Sequence, residues 1–325
     1  MIWDTLKGKG LFVFSDPAGA KAVLALVHYL QSKNLLSASL IVSDRQYDFT
    51  SDFGQHVIPY KAGGEGEYIS SLQPDFLFTG TSYTSKIELQ FIREANGNGI
   101  RTIAFIDHWT NFSLRFKWED TLVLPTEIWV IDQRAKEMAI YDGLPGDKLV
   151  ISDNPYYEFL RKWKPAVSRT DFLKSIGLPD SATIALYVPE PLSQVNGKEK
   201  FGFDELDVLQ RIISDMPDEF WQDKNNYLVI KPHPNHRLEA IQAILDEYRN
   251  GKNIKLIPSG VHSNTAMIYS EMVLGLFSNI LLEGRIIGAR VFRYLPYPVK
   301  EDLIQSDKIQ LPVIKDISHL FETQK

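Results

Sequence analysis

A short motif, Lys231-Pro-His-Pro234, contains the residue types of an anion-binding site. It follows the apolar run 227–230, which predicts a strand, so the motif stands at a strand end where ligands of α/β proteins commonly bind. The two prolines restrict the backbone on both sides of His233 and remove two N–H donors, which limits where the imidazole can point. We therefore interpret Lys231 and His233 as a clamp for an anion. The alternative is a proline-rich turn in which the histidine only completes a loop.

A second candidate for phosphate binding is the turn at Ser278. The run 272–276 predicts a strand and 279–287 predicts a helix, so the Ser278 hydroxyl and nearby N–H groups would meet at a positive helix end. Glu283 lies about a turn and a half further along the helix and could accept hydrogen bonds from ribose or sugar hydroxyls. Two alternatives stay open: Ser278 as an ordinary helix N-cap and Glu283 as a helix surface residue.

The first half of the chain offers a pair that could act as a general base. Asp107-His108-Trp109 follows the predicted strand 102–106. A carboxylate or imidazole at such a position can remove a proton from a reacting group, and the indole face suits a sugar. Asp107 could instead only hold His108 in one tautomer, in a structural or supporting role.

Two other strand ends in the first half carry polar groups. Asp16 follows the first predicted strand and lies near Gly19, where a missing side chain would let a ligand approach the backbone. Asp16 has an alternative role as a helix N-cap. The segment Thr79-Gly-Thr-Ser-Tyr-Thr84 offers hydroxyls and backbone donors, with Thr81 and Ser82 as the candidate contacts. As the base we favour the Asp107–His108 pair over Asp16.

Two further loops have both a functional and a structural interpretation. Pro189-Glu190-Pro191 follows the predicted strand 183–188, so Glu190 could face a ligand, or the loop could be a rigid surface turn. The segment 111–118 mixes three aromatic residues with two cations. It could receive a glycan or a lipid-linked phosphate at a membrane surface, or it could be a packed loop with solvated charges.

Composition limits the class of protein. The chain has 325 residues, 44% of them hydrophobic and 23% charged, which suits a globular protein with two domains of ordinary size. Without cysteine it has no disulfide, no thiolate nucleophile and no cysteine-based zinc site. No histidine or carboxylate grouping has metal-site spacing, so we expect no metal and no cofactor. The net charge of −6 argues against nucleic acid as a partner.

The N-terminal sequence and the lengths of the apolar runs bear on location. The N-terminus lacks the charged-then-apolar pattern of a signal peptide, and no apolar run approaches the roughly 18 residues that span a bilayer. We therefore expect a cytoplasmic protein, with peripheral contact at the inner face of the membrane as an additional expectation.

Strand and helix patterns alternate along the whole chain, which predicts parallel sheets covered by helices. The expected fold class is α/β, with two Rossmann-like doubly wound domains facing across a cleft. The first domain would be 1–152 and the second 153–325, joined by a crossing at 152–165. The predicted strands are 10–14, 39–42, 57–60, 76–78, 102–106, 128–131, 149–151, 183–188, 227–230, 254–257, 272–276 and 291–294. The predicted helices are 17–31, 85–95, 133–141, 205–214, 238–248, 264–270 and 279–287.

These motifs resemble those of GT-B glycosyltransferases and their relatives. Histidine-proline, here His233-Pro234, followed downstream by a serine at a helix start, here Ser278, is shared by bacterial sialyltransferases, capsule sugar transferases and CDP-glycerol glycerophosphotransferases. Asn154-Pro-Tyr-Tyr157 is similar to the segment that enters the second GT-B domain. Two features depart from the sialyltransferase pattern. Asn279 replaces a frequent second serine, and the base motif of two acidic residues followed by glycine is absent.

The resemblance implies a glycosyltransferase of bacterial surface polysaccharide synthesis that needs no metal and works by inverting displacement. Its partners would be a CMP-, UDP- or CDP-linked sugar donor and a glycan or lipid-linked acceptor. The donor would bind in the second domain at Lys231, His233, Ser278, Asn279, Glu283 and Glu190. The acceptor would bind in the first domain at Gly19, Thr81, Ser82 and Trp109. The expected catalytic residues are Asp107, His108, Asp16 and His233.

Three alternatives to this function stay open. A non-hydrolysing sugar-nucleotide epimerase shares the architecture and interconverts nucleotide sugars without an acceptor. A CDP-glycerol-type glycerophosphotransferase would move glycerol phosphate instead of a sugar. A non-catalytic nucleotide-binding scaffold would keep the anion clamp and lack a working base.

Overall fold

Parallel strands joined by helices build both halves of the chain. The structure, a computed structural model, describes residues 1–195, 197–233, 236–248, 251–299, 302–304 and 306–322. Its internal contacts separate two units. Unit 1 comprises Met1–Lys162 and Gln305–Lys308, and unit 2 comprises Trp163–Ile304 and Ile309–Lys325.

Unit 1 is built on a parallel sheet. The strands, including the small antiparallel hairpin β6–β7, are β1 (Gly8–Phe14), β2 (Leu36–Ser43), β3 (Ile58–Pro59), β4 (Phe76–Thr79), β5 (Arg101–Ile106), β6 (Lys117–Trp118), β7 (Thr121–Leu122), β8 (Glu127–Val130) and β9 (Leu149–Ile151). Among the described residues the main sheet has seven strands in the order β3-β2-β1-β4-β5-β8-β9, every pair parallel. The apolar strand ends are buried, as expected for a sheet covered by helices.

Helices connect most of these strands: α1 (Pro17–Ser32), α2 (Glu65–Leu72), α3 (Ile87–Gly97), α4 (Gln133–Tyr141) and α5 (Pro155–Leu160). The first begins at Pro17, whose fixed φ suits the first turn of a helix. Its side chains Val23, Val27 and Leu30 are fully buried, so the helical spacing of the apolar residues is what seats α1 in the core.

The contact boundary of unit 1 lies after Lys162, later than the predicted boundary at residue 152. Helix α5 belongs to unit 1 because its Phe159 ring packs on that unit. The Phe159 ring centroid lies 5.5 Å from the ring of His28 and 4.5 Å from that of Phe53. The crossing into unit 2 therefore follows α5.

A late segment of the chain also belongs to unit 1. The Oδ2 atom of Asp307 accepts the backbone N–H of Arg134 at 3.0 Å, near the start of α4. Lys308 forms an ion pair with Asp153. Because the first turn of a helix has unsatisfied N–H groups, Asp307 supplies an acceptor that local sequence does not.

Unit 2 repeats the parallel plan with shorter strands. These are β10 (Thr183–Tyr187), β11 (Asn226–Ile230), β12 (Ile254–Leu256), β13 (Met272–Gly275), β14 (Val291–Tyr294) and β15 (Val313–Ile314). In the described part of unit 2 the sheet has six strands in the order β12-β11-β10-β13-β14-β15, all parallel.

The helices of unit 2 are α6 (Arg169–Ser175), α7 (Gly197–Phe201), α8 (Glu205–Asp215), α9 (Asp218–Gln222), α10 (Leu238–Tyr248), α11 (Ser263–Ile268), α12 (Asn279–Ile286) and α13 (His319–Glu322). Helix α8 begins with a capping box in which Asp204 accepts two backbone N–H groups and Asp207 accepts that of Asp204. The helix buries Val208, Leu209 and Ile212 against the sheet.

The two sheets share one topological feature. Strand order reverses beside β1, between β1 and β4, and again beside β10, between β10 and β13. The loops at the carboxyl ends of such strand pairs form the usual ligand crevice of doubly wound sheets. The predicted fold class, α/β with two Rossmann-like domains, is therefore confirmed. In the part of the chain that the structure describes, no helix has the length and apolar character needed to cross a membrane.

Candidate functional site

Lys231 leaves β11 at the carboxyl edge of the unit 2 sheet. Its backbone N–H donates to the carbonyl of Tyr187, which extends the strand pairing by one residue. The ammonium Nζ donates to the carbonyl of Ser259 at 3.0 Å, and only 6% of Lys231 is exposed. A buried cation at this edge is well suited to attract an anion. Pro234, predicted as part of the same clamp, lies outside the described residues.

His233 follows two residues later and is exposed. Its backbone N–H donates to Nδ1 of His236 at 2.8 Å, and the His236 N–H donates back to the carbonyl of His233 at 2.9 Å. The pKa of His233 is lowered to about 4, first by desolvation, which acts although the residue reaches the surface, and then by neighbouring His236 and Lys231. The imidazole is therefore neutral at pH 7 and can donate one hydrogen bond without a charge.

Ser278 is the N-cap of α12, where the serine hydroxyl accepts the N–H of Ile280 at 3.4 Å. The N-cap alternative is thus confirmed, and the same geometry places a positive helix end at the carboxyl edge of the sheet. Asn279 is the first residue of the helix. Glu283 is only 7% exposed, so its alternative as a helix surface residue is wrong.

Glu190 crosses the strand-order reversal of unit 2. Its two carboxyl oxygens lie 2.9 and 3.1 Å from the backbone nitrogen of Phe277, which follows β13. Burial raises the pKa of Glu190 to about 8, the Phe277 N–H and Arg293 oppose this rise, and Glu205 adds to it. The loop is therefore more than a surface turn, because its carboxyl group joins the loop after β10 to the segment after the neighbouring strand β13.

In unit 1 the structure brings Asp107 together with Thr81. Arg115 joins them: its Nη1 lies 3.5 Å from Asp107 Oδ1 and donates to the carbonyl and the hydroxyl of Thr81, both at 3.1 Å. The Thr81 hydroxyl donates in turn to the carbonyl of Phe105 at 3.0 Å. Asp107, Thr81 and Arg115 are 6%, 3% and 7% exposed, so the predicted contact Thr81 is already engaged within unit 1.

His108 lies next to this group. Burial lowers the pKa of His108, the Asp107 carboxylate opposes this effect, and Arg115 adds to it. The Nδ1 atom of His108 is 3.0 Å from the hydroxyl of Thr110. A neutral imidazole whose orientation is set by a neighbour has the properties of a general base.

Trp109 is a core residue, not a sugar platform. It is 1% exposed, and its Nε1 donates to both carboxyl oxygens of Asp132 at 3.1 Å. A ligand could reach the indole face only if this packing opened. The aromatic predicted for acceptor binding therefore stabilises unit 1 instead.

The loops after β1 and β4 pack against each other. Gly19 lies so close to the second loop that an added Cβ would be 3.3 Å from the Cα of Gly80, so packing already explains the missing side chain. The Ser82 hydroxyl accepts the N–H groups of Thr84 and Ser85. Asp16 occupies the N-cap position of α1 without a capping bond from its side chain, and accepts instead from the Thr84 hydroxyl at 3.3 Å.

Glu88, on α3, is a buried carboxyl group that the sequence patterns did not reveal. Its Oε1 accepts the Ser15 N–H at 2.9 Å, whereas Oε2 has no hydrogen-bond partner among the described residues. The pKa of Glu88 is raised to about 8, first by burial and also by the charges of Asp16 and Asp44, while backbone hydrogen bonds oppose the rise. The sequence does not indicate this burial, because a single glutamate within a helix pattern is usually expected to face solvent.

The sequence patterns missed three other groups. Arg115 lies in the segment 111–118, where Phe112 and Phe116 are buried as the packed-loop alternative expects, but Arg115 is buried as well and not solvated. Glu205, 1% exposed, is the first residue of α8 and accepts from Ser193. His236 contacts both Glu205 and His233. Among the described residues, no group of three or more histidines and carboxylates could hold a metal ion.

Comparison with known proteins gives structural likenesses only. No protein-family model and no curated protein matches the sequence. The UDP-GlcNAc 2-epimerase of Neisseria meningitidis bound to UDP-GlcNAc is similar over 88% of this chain and 82% of its own, with 16% identity and a TM-score of 0.60. The UDP-GlcNAc 2-epimerase of Methanocaldococcus jannaschii matches over 88% and 83%, with 12% identity and a TM-score of 0.59. Anabaena HepE in complex with UDP-glucose matches over 97% and 89%, with 12% identity and a TM-score of 0.61.

These likenesses bear on fold and correct one prediction. At such identities they establish the fold, which is that of the GT-B type with two Rossmann-like domains. Several of the similar structures are UDP-GlcNAc 2-epimerases. The glycosyltransferase prediction is therefore wrong as the main interpretation, and the findings favour the epimerase that was its alternative.

Proposed function

We propose that the protein is a non-hydrolysing epimerase of a UDP-linked sugar, with UDP-GlcNAc as the first substrate to test. The observation that carries this proposal is the carboxyl edge of unit 2. There Lys231, His233 and the Ser278 helix start follow β11 and β13 of a Rossmann-like sheet. The choice of an epimerase rests on the epimerases that share the fold.

The diphosphate of the nucleotide would bind at this edge. The buried Lys231 ammonium donates to the Ser259 carbonyl, and the positive end of α12 begins at Ser278. Both features lower the energy of a phosphate placed nearby. Neutral His233 would donate one hydrogen bond to a phosphate oxygen, which suits a group that must stabilise developing charge.

The nucleoside part of the UDP-sugar would contact the remaining polar groups of unit 2. Glu283, on α12, would accept hydrogen bonds from ribose hydroxyls, and Asn279 would contact the nucleotide from the first turn of the same helix. Glu190, whose pKa of about 8 keeps it largely protonated at pH 7, would donate a hydrogen bond instead of repelling the diphosphate.

Epimerisation needs a base but no acceptor. One group must remove a proton from the carbon whose configuration changes, while the electron pair of the broken C–H bond expels UDP from the neighbouring carbon. UDP must then add back, and a proton must return from the opposite face. We assign the removal step to the Asp107–His108 pair of unit 1, in which His108 is kept neutral by its lowered pKa. No atom is gained or lost overall, because the proton taken from one face is replaced on the other.

The test is incubation of the protein with UDP-GlcNAc alone in D2O. An epimerase produces an isomeric UDP-sugar of the same atomic composition in which one carbon-bound hydrogen has been exchanged for deuterium, detected by proton NMR and mass spectrometry. The His108→Ala variant is expected to lose this exchange while it still binds UDP, because the base has been removed and the diphosphate site has not.

The possible results separate the alternatives. UDP affinity without isomerisation or exchange would favour a nucleotide-binding scaffold. Turnover of CDP-glycerol in place of UDP-GlcNAc would favour a glycerophosphotransferase. Thermal-shift measurements with CMP, CDP, UDP and GDP test the nucleotide site itself. The site would be contradicted if none of these nucleotides stabilised the protein.

A further inference from the structure

A row of polar groups runs behind His233, on the side of the loop that faces α8. The carboxylate of Glu205 lies 3.3 Å from Nε2 of His236, measured from its Oε1 atom. On the other side of the ring, Nδ1 of His236 accepts the backbone N–H of His233 at 2.8 Å. The side chains of His236 and Glu205 are only 2% and 1% exposed. Neither group has a role in the proposed chemistry.

The hydrogen bond from His233 fixes the tautomer of His236. A ring nitrogen that accepts an N–H carries no proton of its own, so Nδ1 is unprotonated. The proton of neutral His236 must then lie on Nε2, which is 3.3 Å from the Glu205 carboxylate, close enough for electrostatic attraction although the N–H is not aligned as a hydrogen bond. Each nitrogen of this imidazole thus has a different task, and an exchange of the two would break both contacts.

Glu205 is itself held on several sides. The Ser193 hydroxyl donates to Oε1 at 2.6 Å and the Ser193 N–H donates to Oε2 at 2.8 Å. The Tyr187 hydroxyl donates to the Glu205 backbone carbonyl at 3.1 Å. Burial would raise the pKa of Glu205, but the contacts with His236 and Ser193 outweigh burial and the pKa is lowered. The carboxylate is therefore ionised and immobile at neutral pH.

We propose that Glu205 and His236 are positioning residues that hold the backbone of His233 in place for nucleotide binding. Glu205 selects the Nε2–H tautomer of His236, and the bare Nδ1 atom then fixes the N–H of His233. This inference rests on the proposed function, in which His233 contacts the diphosphate. In this arrangement Glu205, on α8, supports His233, which follows β11. Residues around an active site commonly orient a functional imidazole in this way.

Two variants of His236 separate the two tasks of its ring. The side-chain carbonyl of His236→Asn reaches the position of Nδ1 and can accept the His233 N–H. His236→Gln reaches towards the position of Nε2 and leaves the His233 N–H without its acceptor. Isothermal titration with UDP is expected to give near wild-type affinity for His236→Asn and a loss of about tenfold for His236→Gln and His236→Ala.

Glu205 offers a matched pair. Glu205→Gln keeps one acceptor oxygen, which at the position of Oε1 serves the Ser193 hydroxyl and His236 and gives up only the Ser193 N–H, and is expected to stay within about threefold of wild-type affinity. Glu205→Ala is expected to lose about as much as His236→Gln. Equal UDP affinity in wild type, His236→Gln and Glu205→Ala would overturn the positioning role.

A second measurement does not depend on nucleotide binding or on the folding of a variant. The ring nitrogens of His236 in the unliganded wild-type protein, observed by proton–nitrogen NMR, are expected to show an unprotonated Nδ1 and a protonated Nε2. The opposite tautomer would overturn the inference. If wild type binds no UDP, the proposed function fails, while the NMR result still decides whether this tautomer is fixed.

Discussion

The carboxyl edges of the two sheets have the same reversal of strand order but use their polar groups differently. In unit 1, Thr81 and Ser82 after β4 bond to other groups of the same unit, and Arg115 covers Asp107. In unit 2, Lys231 and His233 after β11 and the helix start after β13 bring positive or neutral donors to the edge. One topology therefore supports edges with different polar groups, and the loops decide which groups each edge carries.

The two edges also share a device. In each unit a carboxyl group joins the loop after the first strand to the segment after the fourth strand. Glu88 reaches from α3 to the Ser15 N–H, whereas Glu190 reaches from the loop after β10 to the Phe277 N–H. In unit 1 the carboxyl group lies after the fourth strand, and in unit 2 it lies after the first strand. Burial raises the pKa of both carboxyl groups to about 8. The bridge is common to the two folds, and the surrounding loops are what differs.

The largest effect on stability is expected from the replacement of Trp109. This variant also tests whether Trp109 is a core residue of unit 1 or a surface that binds a ligand. Trp109→Ala should lower the free energy of unfolding by about 3–5 kcal/mol, because it removes a buried indole and one of the donors to the Asp132 carboxylate. Urea denaturation followed by circular dichroism measures this. Trp163→Ala, at a half-buried tryptophan stacked on His262 in unit 2, is the control and should cost less. A small loss for Trp109→Ala together with weaker ligand binding would contradict the contrast between the two edges.

The shared carboxyl bridges can be compared through their pH dependence. The folded pKa of about 8 for Glu88 lies above its usual value of 4.5, so folding takes up a proton between these values and stability falls as pH rises through that window. Glu88→Gln keeps an acceptor for Ser15 and carries no charge. It should therefore be more stable than wild type by about 1–3 kcal/mol near pH 9 and similar near pH 5. Glu190→Gln should follow the same direction. Chemical denaturation at several pH values measures both, and a parallel offset at all pH values would argue against buried ionisation.

The histidines of the two edges should separate binding from turnover. His233→Ala is expected to weaken UDP binding about tenfold, which corresponds to about 1.4 kcal/mol. His108→Ala, in unit 1, should leave the affinity for UDP unchanged and abolish isomerisation. Calorimetry and the deuterium-exchange assay give the two quantities. The division of labour between the edges would be disproved if both variants weakened UDP binding equally.

The smallest effect is expected from the N-cap serine of α12. Ser278→Ala should cost about 0.5–1 kcal/mol of stability through loss of the cap and weaken UDP binding a few-fold. Ser168→Ala is the matched control, because Ser168 caps α6 in the same unit by accepting the Asp171 N–H. Thermal unfolding should shift alike in the two variants, and only Ser278→Ala should change the affinity. Equal affinities would reduce Ser278 to a structural cap.

The sequence predicts the regular elements well where apolar runs are long and buried. The order of strands and helices, the start of α1 at Pro17 and the capping position of Ser278 all follow from local patterns. Helix α2 (Glu65–Leu72) escapes prediction because glycines and acidic residues dominate its start. The two-residue strand β15 escapes because it is defined by its pairing with β14.

The site is less predictable than the fold. A position after a strand indicates proximity to the ligand edge, and this is the basis on which Lys231 and His233 are predicted. It does not reveal whether a side chain points inwards, so Trp109 and Thr81 look accessible until their partners Asp132 and Arg115 are placed. These partners lie 23 and 34 residues away in sequence, beyond the reach of local patterns.

The acceptor that Asp307 provides for α4 has a consequence for the order in which the protein is made. Arg134 is synthesised long before Asp307. Domains generally fold during synthesis, beginning with the N-terminal one. Unit 1 can therefore assemble its sheet early, but the start of α4 acquires this partner only after 173 further residues have been translated. We expect nascent chains that end before this segment to hold a unit 1 in which α4 is more accessible to proteases than in the finished protein.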